Sequence, residues 1–372
     1  MAASWLSFAL VLRLAAPFSP GPQPWRSPRT LTRCRANGGG ALGDTAAAIN
    51  SIWTLPCTGE GVRRVPMATE TREGTHATLW GQTDWDAHTR RDRLLRVVLL
   101  SPWSRITHAL VPTLLPLAAW TSIAWRLRLT LTTTALGYLA SPLGLLLAFR
   151  VNSVVARFHE ARAIWGKMIF TARDLASTLA ATPEDELPLE TRALCCRWLV
   201  AYAWCAKAAM RVEDDIAPLL ETLLPEDDRR RVASARKPAL ALLSLLRGAT
   251  MNVPFKGSHV ARSIHRSIAE LNLLYGGLER LLSTPLSPTY MRHTQRGLLL
   301  WLFLLPCGLM SAGCQNAFKL VLIVLSVSYI MLGIDEIAIQ IEQPFEVLPL
   351  HLLAGGLTKD VADEILLPGY SE

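Results

Sequence analysis

The sequence predicts an all-α membrane protein, with four transmembrane helices and a large helical extramembrane domain. Three observations lead there. Apolar residues are 51% of the 372 positions and charged residues only 18%, with a mean hydropathy of +0.26. That is too apolar for a disordered chain and too poor in charge for an ordinary soluble domain, where about a quarter of the residues are charged. Second, four uncharged stretches come in two pairs, one on each side of a charged segment running from 150 to 296. Third, the charged segment repeats its apolar residues every three to four positions, and no period-two strand pattern competes.

Taken in chain order, residues 1–40 read as a removable leader. Trp5 to Ala16 is an apolar run broken only by Arg13, too short to span a bilayer and suited to a signal-peptide core. Pro-, Ser- and Arg-rich sequence follows, and Arg13, Arg26, Arg29, Arg33 and Arg35 all precede the first acid, Asp44. An acid-poor, Arg-rich stretch is transit-peptide composition. The two in tandem resemble the bipartite leader of a complex plastid. Residues 41–92 lack a persistent helical period and read as a mostly irregular arm. A channel-sized domain from 93 to 360 and a tail from 361 to 372 complete the chain.

The spans are expected at about 106–125, 129–149, 297–318 and 320–334. Each of the first three has about the twenty residues that cross a 30 Å core, whereas the fourth is short and bounded by Lys319 and Asp335. Arg90, Arg91, Arg93, Arg96 and Arg105 precede the first span, Arg150, Arg157 and Arg162 follow the second, and Arg292 and Arg296 precede the third. Only Arg126, Arg128 and Lys319 flank the opposite side. The excess assigns the 150–296 segment and both termini to the positive side.

Within that segment, Leu189–Val212, Arg230–Leu246 and Val260–Leu282 carry helical periodicity, and Pro183, Pro188, Pro225, Pro254, Pro285 and Pro288 punctuate them. The second span does not stop at Arg150. Few helix breakers occur from Leu129 to Thr182, and some fifty residues at about 1.5 Å each make a helix of roughly 75 Å, over twice the bilayer core. Net charge is +8 overall, but five positive charges lie in the leader, and a +6 block at 150–296 faces a −6 block at 319–372. These blocks are expected to compensate one another. No basic stripe is interleaved with stacking aromatics, which excludes a nucleic-acid partner. Seven cysteines without a C-x-x-C, and eight scattered histidines, give neither a disulfide framework nor a metal or catalytic cluster. No cofactor is implied.

Three segments carry a family resemblance. SPLGLLLAFRVNSVVARFHEARAIWG (Ser141 to Gly166), GGLERLLSTPLSPTYMRH (Gly276 to His293) and GIDEIAIQIEQPFEVLPL (Gly333 to Leu350) occur in order and in register with the spans. They resemble the signature stretches of bestrophin anion channels over roughly residues 90–360. The I-E-x-P-F-x-x-L-P form is most similar to the plant and algal branch, the thylakoid voltage-dependent chloride channels and bestrophin-like bicarbonate channels. The resemblance implies a homopentamer in membrane lipid, with a central pore lined by the second span and narrowed by a hydrophobic neck. Chloride and bicarbonate are the expected ions. A plastid thylakoid membrane is the expected location, with the plasma membrane as the alternative.

The residue spacing is compatible with that neck. Ser141, Leu145 and Phe149 fall at i, i+4 and i+8, on one helix face. By spacing alone Leu145 and Phe149 equally suit ordinary packing; the resemblance assigns them to the pore. Ser141 departs from the bulky residue expected at the first ring. Arg150 and Asn152 are expected to draw anions in below the neck, and Arg126 and Arg128 at the other mouth. Arg157, Phe158, Glu160, Arg162, Trp165, Gly166, Glu279, Pro285, Glu342, Pro344 and Phe345 are the motif residues with structural roles. Among them, ion pairs of Arg157 and Arg162 with Glu279, Glu342 or Asp335-Glu336 are expected. Calcium needs six to eight oxygens, and the segment after Phe345 offers Glu346 and then apolar residues and His351, so no calcium clasp is expected there. Besides a channel, a non-conducting scaffold of the same architecture and a membrane enzyme are the competing function classes.

Overall fold

In a computed structural model of the chain, the structure describes residues 81–90, 104–211, 217–251 and 253–365, all of it helix and connecting turns. The leader, most of the arm, Arg91, Arg93 and Arg96, and residues 366–372 lie outside the described residues. Within the arm that was expected to be irregular, Gln82–Thr89 forms a short helix, α1.

Among the described residues, three helices are long and apolar enough to cross a membrane: α2 (Arg105–Arg126), α3 (Thr133–Ala181) and α10 (Ala317–Glu342). A fourth, α9 (Pro288–Ser311), packs against all three. Its apolar part starts only at Gly297, because Arg292, His293, Gln295 and Arg296 occupy its first turns. This reverses the expectation for the second pair. The sequence made the third span comfortable and the fourth short, but α10 runs for 26 residues and takes Lys319 and Asp335 inside it. Gln315 and Asn316 lie in the turn between α9 and α10, and Asn316 caps α10 by accepting from the Lys319 N–H at 3.2 Å.

Both helix pairs turn at the same end by the same device. Leu129 N–H reaches back to Ala124 O and Arg128 N–H to Trp125 O, and the same pattern links Cys314 to Leu309 and Gly313 to Met310. Such a helix end needs one residue in the left-handed region. Gly313 fills it at φ +97°, and Arg128 fills the other at +52°. The turn at Arg128 delays α3 to Thr133, four residues after the expected start.

From there α3 continues unbroken for 49 residues, through Pro142 and well past any bilayer. It ties together two cores of unequal size. A small apolar cluster joins the membrane part, with Leu110 of α2, Leu298, Leu302 and Leu305 of α9, and Leu320, Val324 and Leu332 of α10. Many large apolar side chains there, such as Leu115, Leu322 and Ile330, remain exposed, as expected where lipid replaces water. Trp120 stacks on Phe303 with centroids 4.0 Å apart, and its indole N–H donates to the Phe303 carbonyl at 2.8 Å.

The larger core lies beyond the membrane. It joins the second half of α3 to α4 (Leu189–Met210), α5 (Ala217–Leu223), α6 (Glu226–Ser234), α7 (Pro238–Met251) and α8 (Ser258–Ser283). The helix expected at Arg230–Leu246 is two helices. Pro238 disfavours helical geometry in the residue before it, and the chain breaks at 235–237 before Pro238 opens α7. After α10 the chain forms α11 (Pro344–Val347), α12 (Leu350–Lys359) and a π-helical turn, Asp360–Ile365, which pack back on α3 and α4. Arg173 meets Asp360 at 3.1 Å, so part of the −6 block does meet the +6 block.

Candidate functional site

The membrane half of α3 has two faces. Leu136, Leu147, Arg150 and Val154 are buried against the neighbouring helices. Ser141, Leu145, Phe149 and Asn152 lie on the other side and are exposed, Leu145 at 56% and Phe149 at 55%. The helical period explains the division, since i, i+4 and i+8 stay on one face while a residue one step away turns by about 100°. Two bulky apolar side chains therefore project from a packed helix, one turn apart, with a hydroxyl above and an amide below.

Arg150 is not on this stripe. It is fully buried and pairs with Asp335 of α10. The expectation that Arg150 draws anions toward the neck is corrected: one residue past Phe149 it points into the helix bundle, and Asp335 neutralises it. Asn152 remains exposed beside the stripe. Arg126 and Arg128 are exposed at the turn before α3, and Trp125 anchors that turn by donating to the Gln315 carbonyl at 2.7 Å.

Below the stripe, the motif residues hold helices together. Trp165 is fully buried in the large core, and Phe158 packs against its edge. Among the described residues Arg157 makes no side-chain ion pair. Its Nε donates to the Glu342 carbonyl at 3.1 Å, its Nη1 to Thr284 O at 2.7 Å, and its Nη2 to Leu281 O. Those carbonyls end α8 and α10, where helices lack internal partners. The expected Arg157–glutamate pairing is thus replaced by a cationic cap on two helix C-termini. Glu160 pairs instead with Arg280, and Glu279 with Lys237 at 2.7 Å. Arg162 is exposed beside Gly166, where an added Cβ would lie 3.3 Å from its Nη1. Phe345 and Pro344 are buried. With Arg157, Pro285 and Glu342 they line a cavity of about 280 Å³.

Two further residues complete the frame. Asp335, expected as a partner of Arg157 or Arg162, is one, and it pairs with Arg150 instead. Arg211 is the other: its Nε donates to Phe345 O at 3.0 Å and its Nη2 to Leu348 O at 2.8 Å, so it fastens the segment after α10 to α4. Nothing in its sequence context announces a carbonyl clamp.

The buried cysteines of the extramembrane core are not activated nucleophiles. Burial raises the thiols of Cys195, Cys196 and Cys205 to about 12, the wrong direction for a reactive thiolate. Burial also raises the Tyr202 hydroxyl, which donates to Leu271 O at 2.8 Å.

A family model described as Bacterial/Fungal Bestrophin protein matches residues 86–363. A voltage-dependent anion channel-forming protein of Nostoc is 31% identical over 233 residues, 59% of this chain and 74% of the relative. The chloroplastic voltage-dependent chloride channel 2 of Arabidopsis thaliana is 25% identical over 325 residues, 82% of this chain and 76% of the relative. Among solved structures, a bacterial bestrophin homologue from Klebsiella pneumoniae superposes with a TM-score of 0.60 at 26% identity, covering 67% of this chain and 96% of that one. The matched segment contains the whole of α2 to α12, the exposed stripe and the Arg157 frame, and on that evidence the chain belongs to the bestrophin family.

Proposed function

We propose that the chain is one subunit of a passive anion channel, a homopentamer whose pore is lined by the exposed stripe of α3. The observation that carries this reading is that Leu145 and Phe149 stay exposed on a helix whose opposite face is packed. Five copies around an axis would place two apolar rings one turn apart, with Ser141 above and Asn152 below. A narrow apolar constriction passes ions by partial dehydration and closes by dewetting. The positive edges of the Phe149 rings favour a large, weakly hydrated anion over a cation. Exposed Arg126 and Arg128 raise the anion concentration at one mouth. Chloride and bicarbonate are the substrates, and no catalytic step is involved. The names of the Nostoc and Arabidopsis relatives support anion conduction.

The location proposed is a plastid membrane, the thylakoid, with residues 1–40 as the targeting leader. The chloroplastic Arabidopsis relative and the acid-free arginines of that leader support it. There an anion channel would balance charge during proton pumping or admit inorganic carbon.

Purified protein in planar bilayers tests the function. With a chloride gradient, the reversal potential is expected to follow the chloride equilibrium potential. A reversal potential following the cation would contradict anion conduction, and silence across all voltages would leave a non-conducting scaffold. Immunogold labelling tests the location, and label confined to the plasma membrane would contradict it.

A further inference from the structure

The buried pair of Arg150 and Asp335 plays no part in conduction as described, yet it sits one residue from the neck. Arg150 has no exposed side-chain area and Asp335 only 9%. A second oxygen of Asp335 accepts from Gln295 Nε2 of α9 at 3.2 Å. Five residues earlier on α9, the Tyr290 hydroxyl donates to the Leu146 carbonyl of α3 at 2.7 Å. Between Leu146 and Arg150, therefore, α3 is fastened by polar contacts to both α9 and α10. That is the turn which presents Leu145 and Phe149 on its other side. Elsewhere the membrane part is joined by an apolar cluster and by single neutral hydrogen bonds, Trp301 Nε1 to Leu136 O at 3.1 Å and Trp120 Nε1 to Phe303 O at 2.8 Å among them. Arg150–Asp335 is the one ion pair among the described residues with both side chains buried.

A buried ion pair is a poor source of stability, since a well-packed apolar replacement often does as well. What it supplies here is direction, because both charges are buried and each loses its partner if α3 turns. Arg150 follows Phe149 by about 100° around the helix. A rotation that carried Phe149 off the exposed face would pull Arg150 from Asp335 and leave two buried charges unpaired.

We propose that Arg150 and Asp335 are positioning residues of the neck: their pair locks α3 in the rotation that aims Leu145 and Phe149 into the pore, and so sets its width. The proposal rests on the conduction reading given above.

The test compares the full-length protein with Arg150→Gln, Asp335→Asn and the exchange Arg150→Asp with Asp335→Arg, each checked for assembly by size-exclusion chromatography and recorded in planar bilayers. The readout is the permeability of iodide and thiocyanate relative to chloride, which reports neck dimensions rather than the amount of folded protein. Each single variant is expected to shift this ratio by about threefold or more, and the exchange to restore it. Adding Phe149→Ala to Asp335→Asn is expected to change the ratio less than Phe149→Ala does alone, because coupled positions are not additive. Assembled single variants with the unchanged ratio overturn the proposal. So does an exchange variant that fails to restore it, the deciding result if the single variants do not assemble. A wild-type protein that assembles but carries no anion current removes the conduction reading and this one with it. Current with unaffected ratios removes only the positioning role.

Discussion

Replacing Arg157 by alanine should destabilise the protein more than any change at an exposed charge. Three donors of one guanidinium hold the carbonyls of Glu342, Thr284 and Leu281, which close the ends of α8 and α10. A hydrogen bond to a charged group contributes about 1.5–3 kcal/mol net. The site borders a cavity, so water can reach the freed carbonyls and the low end applies. The loss is then about 3–4 kcal/mol, less than three full bonds. At about 2–4 °C per kcal/mol for a domain of this scale, the melting temperature in detergent should fall by roughly 6–16 °C, measured by tryptophan fluorescence. Arg157→Lys should recover only a small part, since one ammonium cannot span three carbonyls in a fixed fork. A fall of less than about 2 °C for Arg157→Ala, or full recovery with lysine, would refute the cap.

Three further outcomes are expected. Glu160→Gln should change stability by at most about 1 kcal/mol, because its pair with Arg280 is largely exposed; a larger loss in the same melting assay would count against that reading. The thiols of Cys195, Cys196 and Cys205 should resist alkylation at pH 8 until the protein unfolds. Their folded values lie above the ordinary 9.0, at about 12, so the neutral form is favoured by folding. Their contribution is fully present below pH 9 and lost as pH rises from 9 toward 12, and alkaline unfolding curves of the wild type and Cys196→Ala should diverge in that window. Arg128→Gly should leave the melting temperature unchanged or higher, because glycine adopts φ +52° without strain, while lowering unitary anion conductance by removing a charge from one mouth.

Much of the architecture was legible because it rests on long-range periodicity. The scarcity of breakers from Leu129 to Thr182, with Pro142 the strongest of the few, announced a helix outlasting the bilayer, and most of the connections lie at the prolines chosen as boundaries. The errors arose where tertiary contacts decide. Pro238 splits a segment that looks continuous by periodicity. Asp335 appeared to end a span, but Arg150 lets α10 carry it inside. Leu145 and Phe149 on one face follow from spacing. The inward direction of Arg150 does not, since a step of 100° is meaningful only when the neighbours of α3 are known. Arg157 was expected to pair with a carboxylate because sequence displays side-chain charges and hides the carbonyl ends of helices. The sequence pattern indicated the stripe, and the structure was needed to show what holds it.

The central claim is that Phe149 stands in the conduction path, and cysteine modification tests it most directly. Phe149→Cys is placed in a planar bilayer and exposed to a negatively charged thiol reagent, with the wild type as control, whose Cys195, Cys196 and Cys205 are buried. Val154→Cys, on the packed face of the same helix, is the second control. The account predicts that anion current through Phe149→Cys falls in steps as reagent reacts, while both controls keep theirs. Complete modification of Phe149→Cys, verified by mass spectrometry, with the current unchanged would contradict it.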